Sequence, residues 1–165
     1  MTTWLQRSRE ERTLLNPGFC ASLLWQAANG YKSVNGKGLP FEEAFLVLPF
    51  VLHRDTRESL PRDIRTSLTV WLTDNPLAQG RIASRARLLV AFTKEAMTFG
   101  GVHGFIRLAE GHICADDAWK SIVNRTLKAS SDEVRECAKR AEFIGKWFAQ
   151  TGGGPTIFAL MGVRP

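Results

Sequence analysis

Apolar side chains recur at helical spacing over much of this chain. The segment 16–29 opens with Asn16 and Pro17, a capping residue followed by a proline at the first helical position. Apolar residues then follow three and four positions apart, and Asn29-Gly30 supplies an ending signal. The pattern therefore predicts an amphipathic helix over residues 16–29.

A second, longer stripe begins after Asn75-Pro76, which repeats the signal of a capping residue followed by proline. The apolar positions of this stripe are Ile82, Ala86, Leu89, Phe92, Ala96 and Phe99. Their spacing predicts one helix to about Phe99, which Gly100-Gly101 stops.

The segment from Leu39 to His53 is almost entirely apolar. Its aromatic and aliphatic positions follow a helical spacing, with Pro40 in the first turn and Pro49 as the source of a kink, because proline removes a backbone donor. We interpret it as a buried, kinked helix, and a buried strand is the alternative. Residues 67–74 suggest a short helix that stops at Asp74.

The second half of the chain predicts one hairpin and two more helices. Residues 105–114 read as two short strands joined by a turn at Glu110-Gly111. Residues 116–127 are consistent with a helix. Ser130 with Glu133 forms a capping box that starts a helix to about Gln150. Its expected buried face consists of Val134, Cys137, Ala141, Ile144 and Phe148.

These elements predict a mainly α fold with one β-hairpin, as a single domain over residues 1–165. A hairpin directly after a helix is the arrangement of a winged helix, so a winged-helix-like domain is the preferred architecture. A plain helical bundle carrying a hairpin is the alternative.

The chain ends in an apolar segment, residues 156–165, behind the glycines of residues 152–154. Apolar surface of this size is expected to dock on its own domain or on another protein. We favour packing on the helix that ends near Phe148, with the rim of that corner meeting a partner. The residues assigned to partner binding are Trp147, Phe158, Met161, Val163 and Arg164.

Composition narrows the class of protein. The apolar fraction of 44% and charged fraction of 23% are those of an ordinary globular protein. No apolar run is long enough to span a membrane, and no signal-peptide core follows the first residues, so we expect a cytoplasmic protein without membrane contact.

The net charge of +6 is compatible with contact to DNA. The candidate nucleic-acid contacts are Arg62, Arg65, Arg81, Arg85 and Arg87. Arg81 and Arg85 are four residues apart and share a helix face. A solvated surface is the simpler interpretation of these arginines.

No residue pattern points to catalysis. The cysteines Cys20, Cys114 and Cys137 are odd in number and widely spaced, and two of them lie on apolar helix faces, which indicates core thiols. His112 and Cys114 form the closest pair of metal-ligand types, without a second pair at zinc spacing. The glycine-rich stretches lack the lysine of a phosphate-binding loop. We therefore expect no catalytic site, no metal and no cofactor.

Several short motifs occur together in one order. They are Asn16-Pro17-Gly18-Phe19-Cys20, Leu39-Pro40-Phe41, the run from Phe45 to His53, Thr56-Arg57-Glu58-Ser59-Leu60-Pro61, Ser67-Leu68 with Trp71-Leu72, the stretch 93–100, and residues 141–149 followed by 156–165. In this order the chain resembles the small middle component of bacterial three-component ABC systems, a group that includes Lamassu-type antiphage defence modules.

The resemblance implies a non-enzymatic adaptor subunit. Such a subunit would bridge an SMC/Rad50-like ABC ATPase and an effector protein, often a nuclease, and DNA contact within the complex is compatible with it. A free-standing winged-helix DNA-binding regulator is the alternative function, and an enzyme of unrecognised type is a third hypothesis.

Overall fold

The computed structural model describes residues 6–164, apart from the side chains of residues 10 and 11. The helices in this part of the chain are α1 Arg9–Leu14, α2 Pro17–Asn35, α3 Ala44–Val51, α4 Arg54–Ser59, α5 Leu68–Asp74, α6 Ala78–Val102, α7 Lys120–Lys128, α8 Asp132–Gln150 and α9 Gly154–Met161. The strands are β1 Leu39–Pro40, β2 Ile106–Ala109 and β3 His112–Ala115, and a 3₁₀ turn, Asp117–Trp119, precedes α7. The predicted mainly α fold with a hairpin is confirmed.

Helix α2 forms the centre of the molecule and is longer than its sequence pattern predicts. Asn16 caps it as expected, because its side-chain oxygen accepts hydrogen bonds from the backbone N–H groups of Gly18 (2.9 Å) and Phe19 (3.1 Å). The helix then continues through the predicted stop at Asn29-Gly30. Its last residue is Asn35, and the capping residue that follows, Gly36, has a φ of 76°, the left-handed conformation typical of a helix C-terminus.

Gly30 serves packing instead of ending the helix. A Cβ atom at Gly30 would lie 2.1 Å from the carbonyl oxygen of Glu142 in α8. Reciprocally, a Cβ atom at Gly145 would lie 1.9 Å from the carbonyl oxygen of Ala27 in α2. The two central helices therefore touch backbone to backbone, which only glycine at these two positions allows.

Both ends of α6 differ from their predicted positions. Helix α6 begins at Ala78. The Asn75 side chain does not cap it, because its amide N–H donates a hydrogen bond of 2.9 Å to the Trp71 carbonyl in α5. Gly100 lies inside α6, where its missing side chain leaves room for Ile106. The predicted stop at Gly100-Gly101 is wrong, because the helix continues three residues beyond Phe99, to Val102.

The predicted capping box at the start of α8 is also wrong. The helix is capped by Ser131, whose hydroxyl accepts a hydrogen bond from the Val134 backbone N–H (3.4 Å). The Ser130 hydroxyl instead donates a hydrogen bond to the Thr126 carbonyl (2.7 Å). Glu133 pairs with Arg57 of α4. The predicted inner face of α8 is otherwise correct, since all of its members are buried except the half-buried Val134.

The hairpin is confirmed and belongs to a three-stranded antiparallel sheet in the order β1-β3-β2. Glu110 and Gly111 have φ values of 51° and 75°, as a tight two-residue hairpin turn requires. Strand β1 pairs Leu39 with Ile113 of β3. The segment 39–53 is thus a short strand followed by a buried helix, α3, that continues through Pro49.

The core brings aromatic rings from α3, α5 and α8 together. The ring of Phe50 lies within 6.3 Å of the rings of Trp71, Trp147 and Phe148. The indole N–H of Trp71 donates to the Ser59 carbonyl and that of Trp147 to the Thr66 carbonyl, both at 2.7 Å. The Trp71 indole therefore holds the end of α4 against the core, and the Trp147 indole holds the segment before α5. None of the described helices is long and apolar enough to cross a membrane.

Candidate partner-binding groove

An apolar groove of about 770 Å³ opens between α1, the start of α2 and the α7–α8 pair. Its apolar walls include Leu14, Phe19, Phe105, Trp119, Ile122 and Val123. We call it the α1–α7 groove. Leu14 is 57% exposed and Ile122 is 49% exposed, so two large apolar side chains at its mouth are in water. Grooves of this size and composition are typical binding sites in proteins.

Helix α7 forms one wall and is only partly packed. None of its residues is buried, although Val123 and Leu127 point their apolar surface toward the core. By contrast, α8 buries a continuous face on α2. The apolar side of α7 therefore has room for further contacts.

The charged groups of the groove are dominated by arginine. Arg57 is 2% exposed, donates to the Val51 carbonyl at 2.8 Å, and forms an ion pair with Glu133. Its Nε, and the Nε of Arg12 in α1, are buried without a hydrogen-bond partner among the described residues. Both of these groove-lining atoms are N–H donors, so the groove offers unused donors together with positive charge.

The thiols near this region lack the properties of nucleophiles. Cys137 lines the groove, but its Sγ lies 3.9 Å from the Val51 carbonyl, and burial raises the pKa of its thiol. Burial, followed by the charge of Glu95, raises the pKa of Cys20 to about 12. Both thiols are therefore protonated at neutral pH. No cluster of three or more metal-ligating side chains occurs among the side chains that the structure describes.

A second apolar surface lies beside the sheet. A smaller groove of about 410 Å³ is lined by Phe41, Met97, Ile106 and Leu108, among others, and we call it the sheet-side groove. Leu108 is 61% exposed, and the nearby end of α6 exposes Val102 to 78%. This groove shares no lining residue with the α1–α7 groove.

The apolar C-terminal segment packs on its own chain. Ile157 and Met161 of α9 are fully buried, and Phe158 is 6% exposed. The Gln79 side chain of α6 donates a hydrogen bond of 2.6 Å to the Leu160 carbonyl and so holds the end of α9. The expected packing on the same chain is therefore observed, but α9 packs mainly on α6 and not on the predicted helix, α8. Trp147 of α8 borders the same corner as Thr156 and Leu160.

This packing affects the residues that the sequence assigned to partner binding. Trp147, Phe158 and Met161 are buried within the chain, and the partner-binding role predicted for them would require α9 to move. Val163 is half-buried and Arg164 is exposed. These two residues form the accessible rim of the corner, and their role stays a prediction.

The five candidate nucleic-acid arginines do not form one uniform surface. Arg65 pairs with Asp63, and Arg85 donates to the Thr56 hydroxyl at 2.8 Å. Burial, followed by the neighbouring charge of Arg81, lowers the pKa of Arg85. Arg62, Arg81 and Arg87 are exposed. Their contact with DNA stays a prediction.

Sequence reasoning missed the α1–α7 groove, because its walls come from six helices and the segments between them. The amphipathic pattern of α7 is the one local signal that could have indicated it, since a helix without buried residues still has an apolar face.

Comparison with known proteins adds a family. The family model for the ABC-three component (ABC-3C) system Middle Component 3 matches residues 4–165. No curated protein and no solved structure matches the chain significantly.

Proposed function

Since the chain belongs to the Middle Component 3 family of ABC-three component systems, we propose that it is a non-enzymatic adaptor subunit. In this proposal it bridges an SMC/Rad50-like ABC ATPase and an effector protein, often a nuclease, in a bacterial antiphage defence complex. The observation that carries the proposal is the family match, which covers residues 4–165.

Two features of the molecule support a bridging role. A bridge needs two binding surfaces, and the α1–α7 groove and the sheet-side groove are separate apolar surfaces. Exposed apolar side chains at each of them, Ile122 and Leu108 respectively, are of the kind that protein interfaces bury.

The electrostatic environment of the thiols supports an adaptor without catalysis. Two of the three cysteines have raised pKa values through burial, which disfavours the thiolate that a nucleophile requires. Adaptor function requires only shape, apolar surface and charge, and the molecule offers all three at its two grooves.

Reconstitution tests the proposal. The chain is co-expressed with the ABC ATPase and the third component of its own system, and complexes are measured by size-exclusion chromatography with light scattering. The expected result is a ternary complex that falls apart into separate ATPase and effector when the chain is omitted. Association of the ATPase with the effector that is equally strong without the chain would contradict the proposal.

The same preparations separate the adaptor from a DNA-binding regulator. A regulator of that kind would bind duplex DNA alone, with a steep salt dependence that weakens when Arg81 and Arg87 are replaced by Ala. An adaptor is expected to bind its protein partners equally well with and without these substitutions. Tight DNA binding by the isolated chain, together with no protein complex, would favour the regulator.

A further inference from the structure

We propose that the α1–α7 groove binds an amphipathic segment of a partner subunit, and that a carboxylate of this segment pairs with Arg12. The inference rests on the proposed adaptor function and identifies the chemistry of one of its contacts. Three properties of the groove carry it: apolar walls, unused guanidinium donors, and a mouth that is open to solvent.

The walls select an apolar occupant. Phe19, Phe105 and Trp119 form aromatic sides around the groove, and Val123 and Leu127 of α7 face the same space. Filling the space removes apolar surface from water on both partners, which is the main favourable contribution to most protein associations. An amphipathic helix in a groove is a recurrent form of this recognition.

The charges select an acidic occupant. The two buried side-chain atoms of the described groove lining that lack a partner are Nε of Arg12 and Nε of Arg57, and both are donors. Arg57 already uses its other nitrogens on Val51 and Glu133. Among the side chains that the structure describes, Arg12 has no ion-pair partner, and its buried Nε has no hydrogen-bond partner there. A carboxylate can accept from a guanidinium through two parallel hydrogen bonds, so an aspartate or glutamate complements Arg12 directly.

The open mouth favours a protein segment over a small amphiphilic molecule. Leu14 and Ile122 stand on the rim and are about half exposed. A segment that crosses the groove covers both of them, whereas a small molecule within the groove leaves both in water. None of the residues of α7 is buried, so its apolar side is available to such a segment.

The test uses the complete chain with its ATPase and third component. Two groove variants, Arg12→Glu and Ile122→Glu, are compared with Lys139→Glu and Leu88→Glu. These controls replace a cation and a branched aliphatic residue by glutamate at exposed positions of α8 and α6 that do not line the groove. Circular dichroism and thermal unfolding establish that all four variants fold. We expect each groove variant to weaken binding to one partner by a factor of about 10 or more, and each control by less than about twofold.

A photo-crosslinking residue at position 122 identifies the occupant. The expected crosslink lies in a partner segment that carries an aspartate or glutamate among apolar residues. Replacing that acid by lysine should restore a large part of the binding lost in Arg12→Glu. Such rescue requires the two charges to be in contact, and a merely structural role of Arg12 would not produce it.

The other outcomes overturn the inference in distinguishable ways. A complex that forms normally with both groove variants leaves the adaptor function standing and refutes the groove as its site. A crosslink to residues 1–5 of this chain, to a second copy of it, or to a co-purified small molecule seen by native mass spectrometry also refutes the inference. If the unaltered chain forms no complex, the proposed function fails, and the inference fails with it.

Discussion

Glu43 is a buried carboxyl group whose ionisation should control stability above neutral pH. It directly precedes α3, is fully buried, and both of its oxygens lack a hydrogen-bond partner among the described residues. Burial, with a smaller contribution from the charge of Glu42, raises its pKa from 4.5 to about 8. Of its neighbours, the Tyr31 hydroxyl is also a weak acid, and its own pKa is raised by burial and by Glu43.

The direction of the pH dependence follows from the two pKa values. The unfolded chain loses the Glu43 proton near pH 4.5, whereas the folded chain keeps it to about pH 8. The folded state therefore binds more protons between these values, and its stability falls as the pH rises through them. Each pH unit in this window costs about 1.4 kcal/mol, so about 3 kcal/mol is lost by pH 7. Above about pH 8 the contribution levels off.

The variant Glu43→Gln isolates this contribution, because an amide of nearly the same shape cannot ionise. Free energies of unfolding are measured by urea denaturation, followed by tryptophan fluorescence, from about pH 4.5 to about pH 9. We expect the variant and the original chain to differ by a constant amount at the acidic end. The variant should gain about 3 kcal/mol relative to the original chain by pH 7. Titration of the other carboxyl groups is common to both proteins and cancels in the difference.

The control is Glu42→Gln, which removes an exposed neighbouring charge. It should retain nearly the whole pH dependence, with a slightly lower midpoint, because the charge of Glu42 is the smaller cause of the shift. Parallel stability curves for Glu43→Gln and the original chain over the whole range would refute the reasoning. They would mean that the carboxylate of Glu43 is solvated or paired in the folded state.

Three further outcomes are expected. Gly145→Ala should lower the free energy of unfolding by about 3 kcal/mol, because α2 and α8 must separate to make room for the methyl group. The control Gly101→Ala has open space around it and should be neutral or slightly stabilising. Thermal unfolding measures both variants. Deletion of residues 156–165 should leave the chain unfolded or insoluble, since the buried side chains that it removes together contribute roughly 5 kcal/mol or more to stability. Arg164→Glu should keep the fold and lower the affinity for the partner that the predicted rim contacts. In the native protein, a thiol reagent should label the half-buried Cys114 well before the other two cysteines, and equal labelling rates would contradict the burial of those thiols.

The parts of the fold that were predictable are those that depend on local pattern. The stripe from Ile82 to Phe99 predicts most of α6, and the Glu110-Gly111 turn predicts the hairpin. The errors concern residues whose role is tertiary. Gly30 resembles a helix stop, but it permits backbone contact with α8, more than one hundred residues away in sequence. A two-residue strand such as β1 has no periodicity of its own and exists because β3 offers it a partner.

The candidate site was harder to predict because a hydrophobic pattern does not identify the surface that covers it. The apolar C-terminus and the apolar side of α7 look alike in sequence, yet α9 is buried on its own chain and α7 is left half covered. Arg57 illustrates the same limit. Its partners are Val51, nearby in sequence, and Glu133, 76 positions away. Only the folded chain shows that the donors of Arg57 and Arg12 meet in one groove.

The burial of α9 changes how an adaptor of this kind can hold two partners. If the C-terminal segment were a free arm, the distance between the partners would depend on its glycines. Instead, both grooves are built on the end of α6 and the start of β2. Phe99 and Phe105 line the α1–α7 groove, while Met97 and Ile106 line the sheet-side groove. Phe105, which directly precedes β2, and Ile106, the first residue of β2, therefore line one groove each. Two partners bound at these grooves would therefore be separated by a packed wall of fixed thickness. Such a wall transmits a displacement from one partner to the other more directly than a flexible linker does, because packed interiors resist compression.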